Sequence, residues 1–598
     1  MKPAEKDLPE WDLSHLYQGP ESQELEADLA ESAADAKAFR ATYKGTLEGI
    51  DGAGLGTAIA AFEKIEEVLG KAMSYAQLLF AADMGDAERG RFQQTIHERI
   101  TDISSDLLFF TLELNRLDDA VLEEKLLDPA ASHYQSWVRD VRVYRPHQLD
   151  DNLEQLLLEK SVAGKAAWLR LFEETFADMR FPLGHRSLTL SDTLNMLSDK
   201  DGVIRKKAAK VLGEVLGKHQ RLFALITNTL AKDKEIEDTW RKYPRPVSSR
   251  NLGNQVEDDV VDALSSSVTD AYPDLSHRYY KLKAKWFGQE QLEYWDRNAP
   301  LPDDNDKRYS WDEARSMVLD AYGAFEPQMS GIAQRFFDER WIDAGPRPGK
   351  DSGAFSHPTV PSAHPYILMN FHGKSRDVMT LAHELGHGVH QILAARQGAL
   401  MSDTPLTTAE TASVFGEMLT FRSMLDGEAD PARRKILLAG KVEDMLNTVV
   451  RQIAFHQFET RVHDERKSGE LAPERLGEIW MEIQAESLGP AIKLEDEYKH
   501  FWAYIPHFIH TPFYVYAYAF GDCLVNSLYD VFSDGHPAFQ EKYMEMLRAG
   551  GTLRHKELLA PFGLDASDPQ FWKRGLNVVS GFIDELEQLP SELHDRSR

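Results

Sequence analysis

The sequence is poor in cysteine and lacks long apolar runs. Its 598 residues include one cysteine, Cys523, so no disulfide can form within the chain and a reducing compartment is expected. No stretch approaches the roughly 18 uninterrupted apolar residues that read as a membrane-spanning helix. The first residues are charged where a secretory signal would be apolar. We therefore expect a cytoplasmic protein without a membrane partner.

Basic residues are also in short supply. The chain has 68 Lys and Arg against 97 Asp and Glu, which gives a net charge of -29. This charge disfavours nucleic acids and anionic membranes as partners and favours solubility. A hydrophobic content of 42% is ample for a large core. We find no solenoid repeat and no low-complexity tract.

Helical spacing of apolar residues dominates the chain, and strand-like segments are few. Alanine, leucine, glutamate and lysine are frequent in these stretches, which favours helix. The sequence therefore predicts a mainly α fold. Among the clearest predicted helices are 21–42, 55–79, 89–117 and 154–175.

The most informative segment is His383-Glu384-Leu385-Gly386-His387. Roughly 0.06 matches to this pattern are expected by chance in a chain of this composition. On a helix, residues four apart share a face, so both histidines can direct ring nitrogens at one metal ion while Glu384 reaches a bound water. A histidine buried in the core without a metal is the alternative. The pattern favours a zinc hydrolase.

The residues around this motif predict the helix that it needs. Ser375 suits the start and Gly398 suits the end. Between them, Val378, Leu381, Leu385, Val389 and Ile392 form one apolar stripe. His383, His387 and His390 lie on the opposite face, so one face is expected to be buried and the other to present histidines.

A catalytic zinc takes three protein ligands and one water, and one helix face cannot surround a metal. Glu410, in the first turn of the next helix-like run, is the candidate third ligand, and this set predicts one zinc ion per chain. Alternatively, Thr407 and Glu410 form a capping box, in which the carboxylate only accepts a backbone N–H. Glu417, two turns later, either orients a zinc histidine or is an ordinary surface charge.

Three stretches share a pattern with a known family: Pro365 to Phe371 followed by Thr380 to His387, the block Ala409 to Ser413, and the tyrosine-rich run Pro512 to Tyr518. Together they resemble oligoendopeptidase F of the M3 (thimet oligopeptidase-like) metallopeptidase family. The similarity extends from Trp11 to the last helices and so covers nearly the whole chain. Ser356 stands where many relatives carry a cysteine, a departure that affects no metal ligand.

The resemblance implies a large, two-lobed helical architecture with a small β element beside the zinc helix and a deep central channel. It implies a zinc-dependent endopeptidase that hydrolyses internal bonds of short, unfolded oligopeptides. Zinc would polarise the water and the scissile carbonyl, and Glu384 would act as general base. We expect an N-terminal helical lobe over 1–180 and a catalytic region over 181–598, with the boundary approximate and the lobes interleaved.

Relatives also use a histidine and tyrosines near the C-terminus to hold the tetrahedral intermediate. The matching residues here are His507, Tyr514 and Tyr518, with Tyr516 pointing elsewhere if the segment is helical. Residue matching does not separate His507 from His510. The alternative is that this aromatic run is core, with its phenols bonded to backbone.

The strand-like run 366–371 precedes the zinc helix and includes Met369 and Asn370. As an edge strand it would pair with an extended peptide, whereas the alternative is a fully internal strand. Gly353 and Ala354 suit close approach by a ligand, although glycine in such a stretch also simply marks a loop.

Two alternative functions stay open. One is an exopeptidase, either a carboxypeptidase or a dipeptidyl-releasing enzyme, on a similar scaffold. The other is a peptide-binding protein without turnover, against which the intact set of zinc ligands and Glu384 argues. Short peptides are the expected partners, and the sequence gives neither the cleavage preference nor the oligomeric state.

Overall fold

A computed structural model of the chain describes residues 8–161, 163–301 and 307–589. These residues are mainly helical with a few short strands, so the predicted fold class is confirmed. No helix in the described part of the chain is both long and apolar enough to cross a membrane.

Fourteen of the helices lie in the first half of the chain, together with three strands. The strands are β1 (Phe181–Leu183), β2 (Arg186–Leu188) and β3 (Leu292–Glu293). The helices are α1 (Gln23–Tyr43), α2 (Gly52–Ala81), α3 (Ala87–Ser105), α4 (Leu108–Arg116), α5 (Asp119–Lys125), α6 (Pro129–Ser132), α7 (Gln135–Arg142), α8 (Asp151–Ser161), α9 (Lys165–Asp178), α10 (Leu190–Asn195), α11 (Gly202–Arg241), α12 (Ser248–Gly253), α13 (Asp258–Asp270) and α14 (Arg278–Trp286).

The second half continues in the same way. Its strands are β4 (Ile342–Asp343), β5 (Phe355–His357), β6 (Tyr366–Leu368) and β7 (Ile492–Lys493). Its helices are α15 (Trp311–Phe325), α16 (Pro327–Asp338), α17 (Ser375–Ala394), α18 (Leu406–Ala409), α19 (Ser413–Asp426), α20 (Pro431–Thr448), α21 (Val450–Arg466), α22 (Pro473–Leu488), α23 (His507–His510), α24 (Tyr516–Ser533), α25 (Phe539–Arg548), α26 (His555–Leu559) and α27 (Pro569–Gln588).

Two predicted helices are each divided in two. The stretch 89–117 forms α3 and α4, because the N–H groups of Asp106 and Leu107 bond to carbonyls three residues back and close the first helix with a tight turn. The stretch 154–175 forms α8 and α9, with Gly164 in a non-helical conformation before the second. Apolar spacing continues through both breaks, so periodicity alone misses them.

The chain divides into two compact units, each formed by three separate segments. Unit 1 comprises Met1–Arg145, Asp306–Asp426 and Gly535–Gly563, and unit 2 comprises Pro146–Asn305, Gly427–Asp534 and Leu564–Arg598. The domain boundary near residue 180 stays a prediction.

Unit 1 contains the predicted β element, a three-stranded sheet in the order β4-β6-β5. The central strand β6 pairs in parallel with β4 and antiparallel with β5, and its three residues are fully buried. The strand-like run 366–371 therefore contains an internal strand, β6, and β5 lies at the edge of the sheet. Both β5 and β6 pack against α17.

Unit 2 is built around long helices, chiefly α11, α21, α24 and α27. Helices α24 and α27 pack closely at Gly575, where a Cβ atom would lie 2.4 Å from the Cys523 carbonyl oxygen. Parallel pairing of β3 and β7 adds a short two-stranded sheet. The aromatic residues of segment 496–516 pack in this unit.

Candidate metal centre

Helix α17 begins and ends close to where the sequence predicts. The Oδ2 atom of Asp377 accepts the backbone N–H groups of His372 at 2.7 Å and Lys374 at 2.9 Å, which caps the first turn. Lys374, one residue before the predicted Ser375, is the N-cap. The C-terminal end tightens into a 3-10 turn and stops at Gly398, whose φ of +86° favours glycine.

The two faces of α17 differ as predicted. Val378, Leu381, Leu385 and Val389 of the apolar stripe are fully buried. On the other face, 26% of the His383 side-chain surface and 20% of that of His387 remain accessible to solvent. His390 is buried and does not join them, since the described metal-donor cluster contains only His383, His387 and Glu410.

The donor atoms of this cluster converge on one point. The Oε2 atom of Glu410 lies 3.3 Å from His383 Nε2 and 3.5 Å from His387 Nε2. Zinc bonds of about 2.0–2.1 Å in tetrahedral geometry would separate two ligand atoms by about 3.3 Å. Two imidazole nitrogens and one carboxylate oxygen therefore fit a zinc ion in both chemistry and spacing.

Glu410 reaches this point from a break between helices. It follows the end of α18, not the first turn of a continuous helix as the sequence suggests, because residues 410–412 form a turn before α19. The N-cap of α18 is Pro405, so Thr407 lies inside that helix and not at the N-cap position that a capping box requires. The Ser413 hydroxyl donates to Glu410 Oε2 at 2.6 Å and holds the carboxylate in place.

Gly386, inside the histidine motif, permits the close approach of this turn to α17. A Cβ atom on Gly386 would lie 2.4 Å from the Ala412 carbonyl oxygen and 2.6 Å from Ser413 Cα. Both contacts are to backbone, which has no rotamer to change. The glycine therefore fixes the distance between the helix that carries both histidines and the turn that carries Glu410.

Glu417 lies beside His383. Its Oε2 lies 3.4 Å from His383 Nδ1, so a hydrogen bond there leaves the other ring nitrogen, Nε2, facing the space that it shares with His387 and Glu410. Burial lowers the pKa of His383, but the hydrogen bond that its ring donates to Glu417 and the charges of Glu410 and Glu384 outweigh burial and raise that pKa to about 9. Burial lowers the pKa of His387.

Glu384 is buried at 6% exposure beside these donors. Burial raises its pKa to about 7, the His383 charge opposes this, and the Glu410 carboxylate adds to it. The backbone amide of Ser356 in β5 favours the ionised form. A cation held by the neighbouring donors would favour the carboxylate further.

The candidate substrate-binding residues lie around the sheet of unit 1. Met369 is buried, and its N–H and C=O groups are both taken, by the Asp343 carbonyl at 2.9 Å and by Lys350 Nζ at 2.6 Å. The Asn370 side chain donates to the carbonyls of Asp351 and Gly353 and so fixes the loop that enters β5.

Ala354 follows in that loop and is exposed, directly before the edge strand β5. Its backbone groups have no hydrogen-bond partner among the residues that the structure describes. Ser356, two residues on, has its carbonyl bonded to Gln391 of α17. The backbone groups of Ala354 are thus open to a hydrogen-bond partner directly before β5, the strand whose Ser356 contacts Glu384.

The tyrosine-rich run lies in unit 2. His507 Nε2 is 3.4 Å from the Tyr518 hydroxyl, and the Tyr514 ring lies 5.2 Å from that of Tyr518. The Tyr516 ring is fully buried and its hydroxyl accepts from Asn254, so it points elsewhere as predicted. Burial and the charge of a nearby arginine lower the pKa of His507.

The structure separates the two histidines that the sequence leaves together. His510 turns away from the tyrosines toward α9, with its Nδ1 3.8 Å from Glu173 and its ring 5.8 Å from that of Phe172. Within unit 2, His507 is thus the histidine that shares a cluster with Tyr514 and Tyr518.

Two protein-family profiles match segments of this chain. Residues 195–578 match the profile of peptidase family M3, and residues 113–181 match that of oligopeptidase F. Oligopeptidase PepF of Bacillus subtilis is 26% identical over 88% of this chain and 80% of its own. Group B oligopeptidase PepB of Streptococcus agalactiae is 27% identical over 97% of both chains.

A solved structure shares the fold. Oligoendopeptidase F from Enterococcus faecium superposes with a TM-score of 0.71 at 22% identity, over 95% of this chain and 99% of its own. The M3 profile alone spans more than half of the sequence, including the histidine motif, Glu410 and the tyrosine-rich run. The chain therefore belongs to peptidase family M3 and is a metallo-oligopeptidase.

Proposed function

We propose that this chain is a zinc-dependent endopeptidase that hydrolyses internal peptide bonds of short, unfolded oligopeptides. One observation carries the proposal: the donor atoms of His383, His387 and Glu410 converge within 4.8 Å of one another beside the buried carboxyl group of Glu384. Membership of family M3 supports the same chemistry.

In this proposal His383, His387 and Glu410 hold one zinc ion per chain. A bound zinc ion would polarise a water molecule and the carbonyl of the scissile bond. Glu417 keeps the His383 ring oriented, and Ser413 does the same for the Glu410 carboxylate.

Glu384 acts as the general base. Its carboxylate accepts a proton from the attacking water and later delivers it to the leaving amine. As water adds, charge grows on the carbonyl oxygen, and we assign the donation of hydrogen bonds to that oxygen to His507 and Tyr518, with Tyr514 beside them. The mutual contacts of these three side chains support that assignment.

The peptide would bind in an extended form along the outer side of β5. Strand addition uses backbone groups that face away from the sheet, and the Ala354 backbone is exposed there. Gly353 allows the peptide to approach closely, while Asn370 and Met369 hold the loop and strand in position.

Metal analysis and turnover test the proposal together. We expect about one zinc per chain in the wild type, a strong loss of zinc in Glu410→Ala, and retained zinc with most turnover lost in Glu384→Gln, because the amide cannot accept the proton. The exposed Glu339→Gln in the same unit is the matched control. Near-normal kcat in Glu384→Gln would refute the base assignment.

Product analysis separates the alternative functions. Internal cleavage of a peptide with both termini blocked supports an endopeptidase, whereas sequential loss of single or paired terminal residues selects an exopeptidase. Stably folded proteins should remain nearly uncut. Zinc-loaded protein that binds peptides without cleaving any would indicate a peptide-binding protein.

A further inference from the structure

Ser356, the middle residue of the edge strand β5, is bound twice by Gln391 of helix α17. The Ser356 hydroxyl donates to Gln391 Oε1 at 2.9 Å. In the other direction, Gln391 Nε2 donates to the Ser356 carbonyl oxygen at 3.0 Å. One amide side chain therefore satisfies both the side chain and the backbone of a single strand residue. We call these two hydrogen bonds the Gln391–Ser356 link.

Gln391 lies on the face of α17 that carries the candidate catalytic groups. It follows His387 by four residues, about one turn, and Glu384 by seven residues, about two turns. Side chains at these spacings leave a helix on the same side. The helix face that holds two metal donors and the general base thus also holds β5. All of these residues belong to unit 1.

The link lies on the open edge of the sheet. In β6, the Ile367 N–H group bonds to the carbonyl of Trp341, directly before β4, at 2.9 Å. Ile367 is the register partner of Ser356. Directly opposite residues of an antiparallel pair turn their backbone groups either toward each other or both away. Ser356 therefore directs its N–H and carbonyl groups to the outer side of β5, where Gln391 meets them.

Backbone groups that face outward recur at every second residue of a strand. Ala354 and Pro358, two residues before and two after Ser356, therefore continue its row. Pro358 has no N–H group, and the Ser356 carbonyl is bound to Gln391. The Ala354 backbone has no hydrogen-bond partner among the described residues. Of these three positions, Ala354 alone offers both of its groups to a peptide.

This arrangement limits how far an added strand can extend. A peptide that pairs with Ala354 cannot continue the ladder at Ser356, because Gln391 already occupies that carbonyl. The point where pairing stops is fixed relative to the metal donors, since Gln391 and His387 share one helix. Without the link, β5 and a peptide bound to it could shift against α17. A displacement of about 1 Å at the reacting groups can lower a rate by about 10²-fold.

A second glutamine binds β5 from helix α2. The His357 Nδ1 atom accepts the Thr359 N–H group at 3.0 Å, so the proton is on Nε2, which donates to Gln77 Oε1 at 3.0 Å. This contact uses the His357 side chain and no outward-facing backbone group. Gln77 also belongs to unit 1. It therefore offers a matched control, the same residue type bound to the same strand from another helix.

We propose that Gln391 is a positioning residue: through Ser356 it holds β5 against α17, ends the pairing of the peptide at Ala354, and so sets which peptide bond lies at the metal donors. The proposal rests on the proposed peptidase function and goes beyond it, because Gln391 is neither a metal ligand nor the base. The chemical group recognised at this edge is the peptide backbone, so the link governs the register of cleavage for any side-chain sequence.

Hydrogen exchange tests the link without turnover. Gln391→Met removes both hydrogen bonds and keeps a long side chain that favours helix. We expect the Ser356 amide to exchange about 10- to 100-fold faster in this variant, the factor that corresponds to two lost hydrogen bonds. Gln77→Met should change that rate by less than about threefold. Peptide added to Glu384→Gln protein should slow exchange of the Ala354 amide by at least about tenfold, because that amide becomes paired.

Turnover of one peptide tests the positioning. In Gln391→Met, kcat per zinc-loaded chain should fall by about 10- to 100-fold, while KM stays within about threefold because Ala354 still binds the peptide. Gln77→Met should keep both constants within about threefold. Ser356→Ala keeps the carbonyl half of the link and should lower kcat by less than about tenfold. Added to Gln391→Met, it should cause no further loss, since both changes act through one link.

The outcomes separate the link from the peptidase function. Unchanged Ser356 exchange in Gln391→Met would overturn the link, and an unprotected Ala354 amide would overturn pairing at that residue. Faster exchange with kcat within about threefold of the wild type would mean that the link only stabilises the fold, which also overturns the proposal. If the wild type cuts no peptide but both exchange effects are found, the positioning of the bound peptide is supported and only the proposed peptidase function fails.

Discussion

A single methyl group at Gly386 should weaken zinc binding at the metal centre. The Gly386→Ala variant keeps every proposed ligand, the general base and the helix that carries them. It adds only a Cβ atom on the face of α17 that contacts the turn between α18 and α19. Any loss of metal binding in this variant would therefore report the distance between the helix and the turn.

The structure sets the size of the effect. The new Cβ would lie 2.4 Å from the Ala412 carbonyl oxygen, against an ordinary contact of at least 3.4 Å, so the backbone must separate by about 1 Å. Overpacking of this kind costs about 1–3 kcal/mol, and the higher helix propensity of alanine offsets about 1 kcal/mol. Zinc sites tolerate departures of about 0.2 Å in ligand distance. A displaced Glu410 should thus weaken zinc binding by about 10- to 100-fold, the scale seen when a supporting residue is lost.

Chelator competition measures the zinc affinity of Gly386→Ala, and thermal denaturation measures its stability in parallel. Gly331→Ala is the matched control, because Gly331 lies in helix α16 of the same unit and a Cβ there would meet nothing within 4 Å. That control should be neutral or slightly stabilised and should bind zinc normally. Zinc affinity of Gly386→Ala within threefold of the wild type would show that the turn adapts, and the reasoning would fail.

Three other substitutions probe separate parts of the molecule. Tyr518→Phe should lower kcat by about 10²-fold, as for one lost oxyanion donor, with KM and zinc content nearly unchanged. Tyr516→Phe should leave kcat intact. The reverse pattern would show that the Tyr516 hydroxyl, and not that of Tyr518, faces the substrate. Glu417→Gln should weaken zinc binding by about 10- to 100-fold, measured by chelator competition, and unchanged affinity would make Glu417 a bystander. Asp343→Asn should lower the free energy of unfolding, measured by urea denaturation, by about 3–5 kcal/mol. The reason is that the buried Lys350, whose Nζ lies 2.6 Å from the Asp343 carboxylate, loses its counter-charge. A decrease below about 1 kcal/mol would contradict this account.

Helix α17 could be predicted from sequence because its information is local. The repeat of Val378, Leu381, Leu385 and Val389 specifies which face is buried, and the same repeat places His383 and His387 on the other. The two ends of α17 follow from the capping residue Asp377 and from Gly398. Fixed helix geometry converts residue spacing into direction, so no knowledge of tertiary packing is needed.

The break at residues 410–412 could not be predicted in the same way. Thr407 to Glu417 has the composition of one helix. The structure instead has a turn there, which packs the backbone of Ala412 and Ser413 against Gly386 and brings Glu410 toward α17. The capping pattern of Thr407 and Glu410 is local, so it gives no sign of that long-range contact. The glycine of the histidine motif was the available signal, since a glycine inside a strongly helical run indicates close backbone approach.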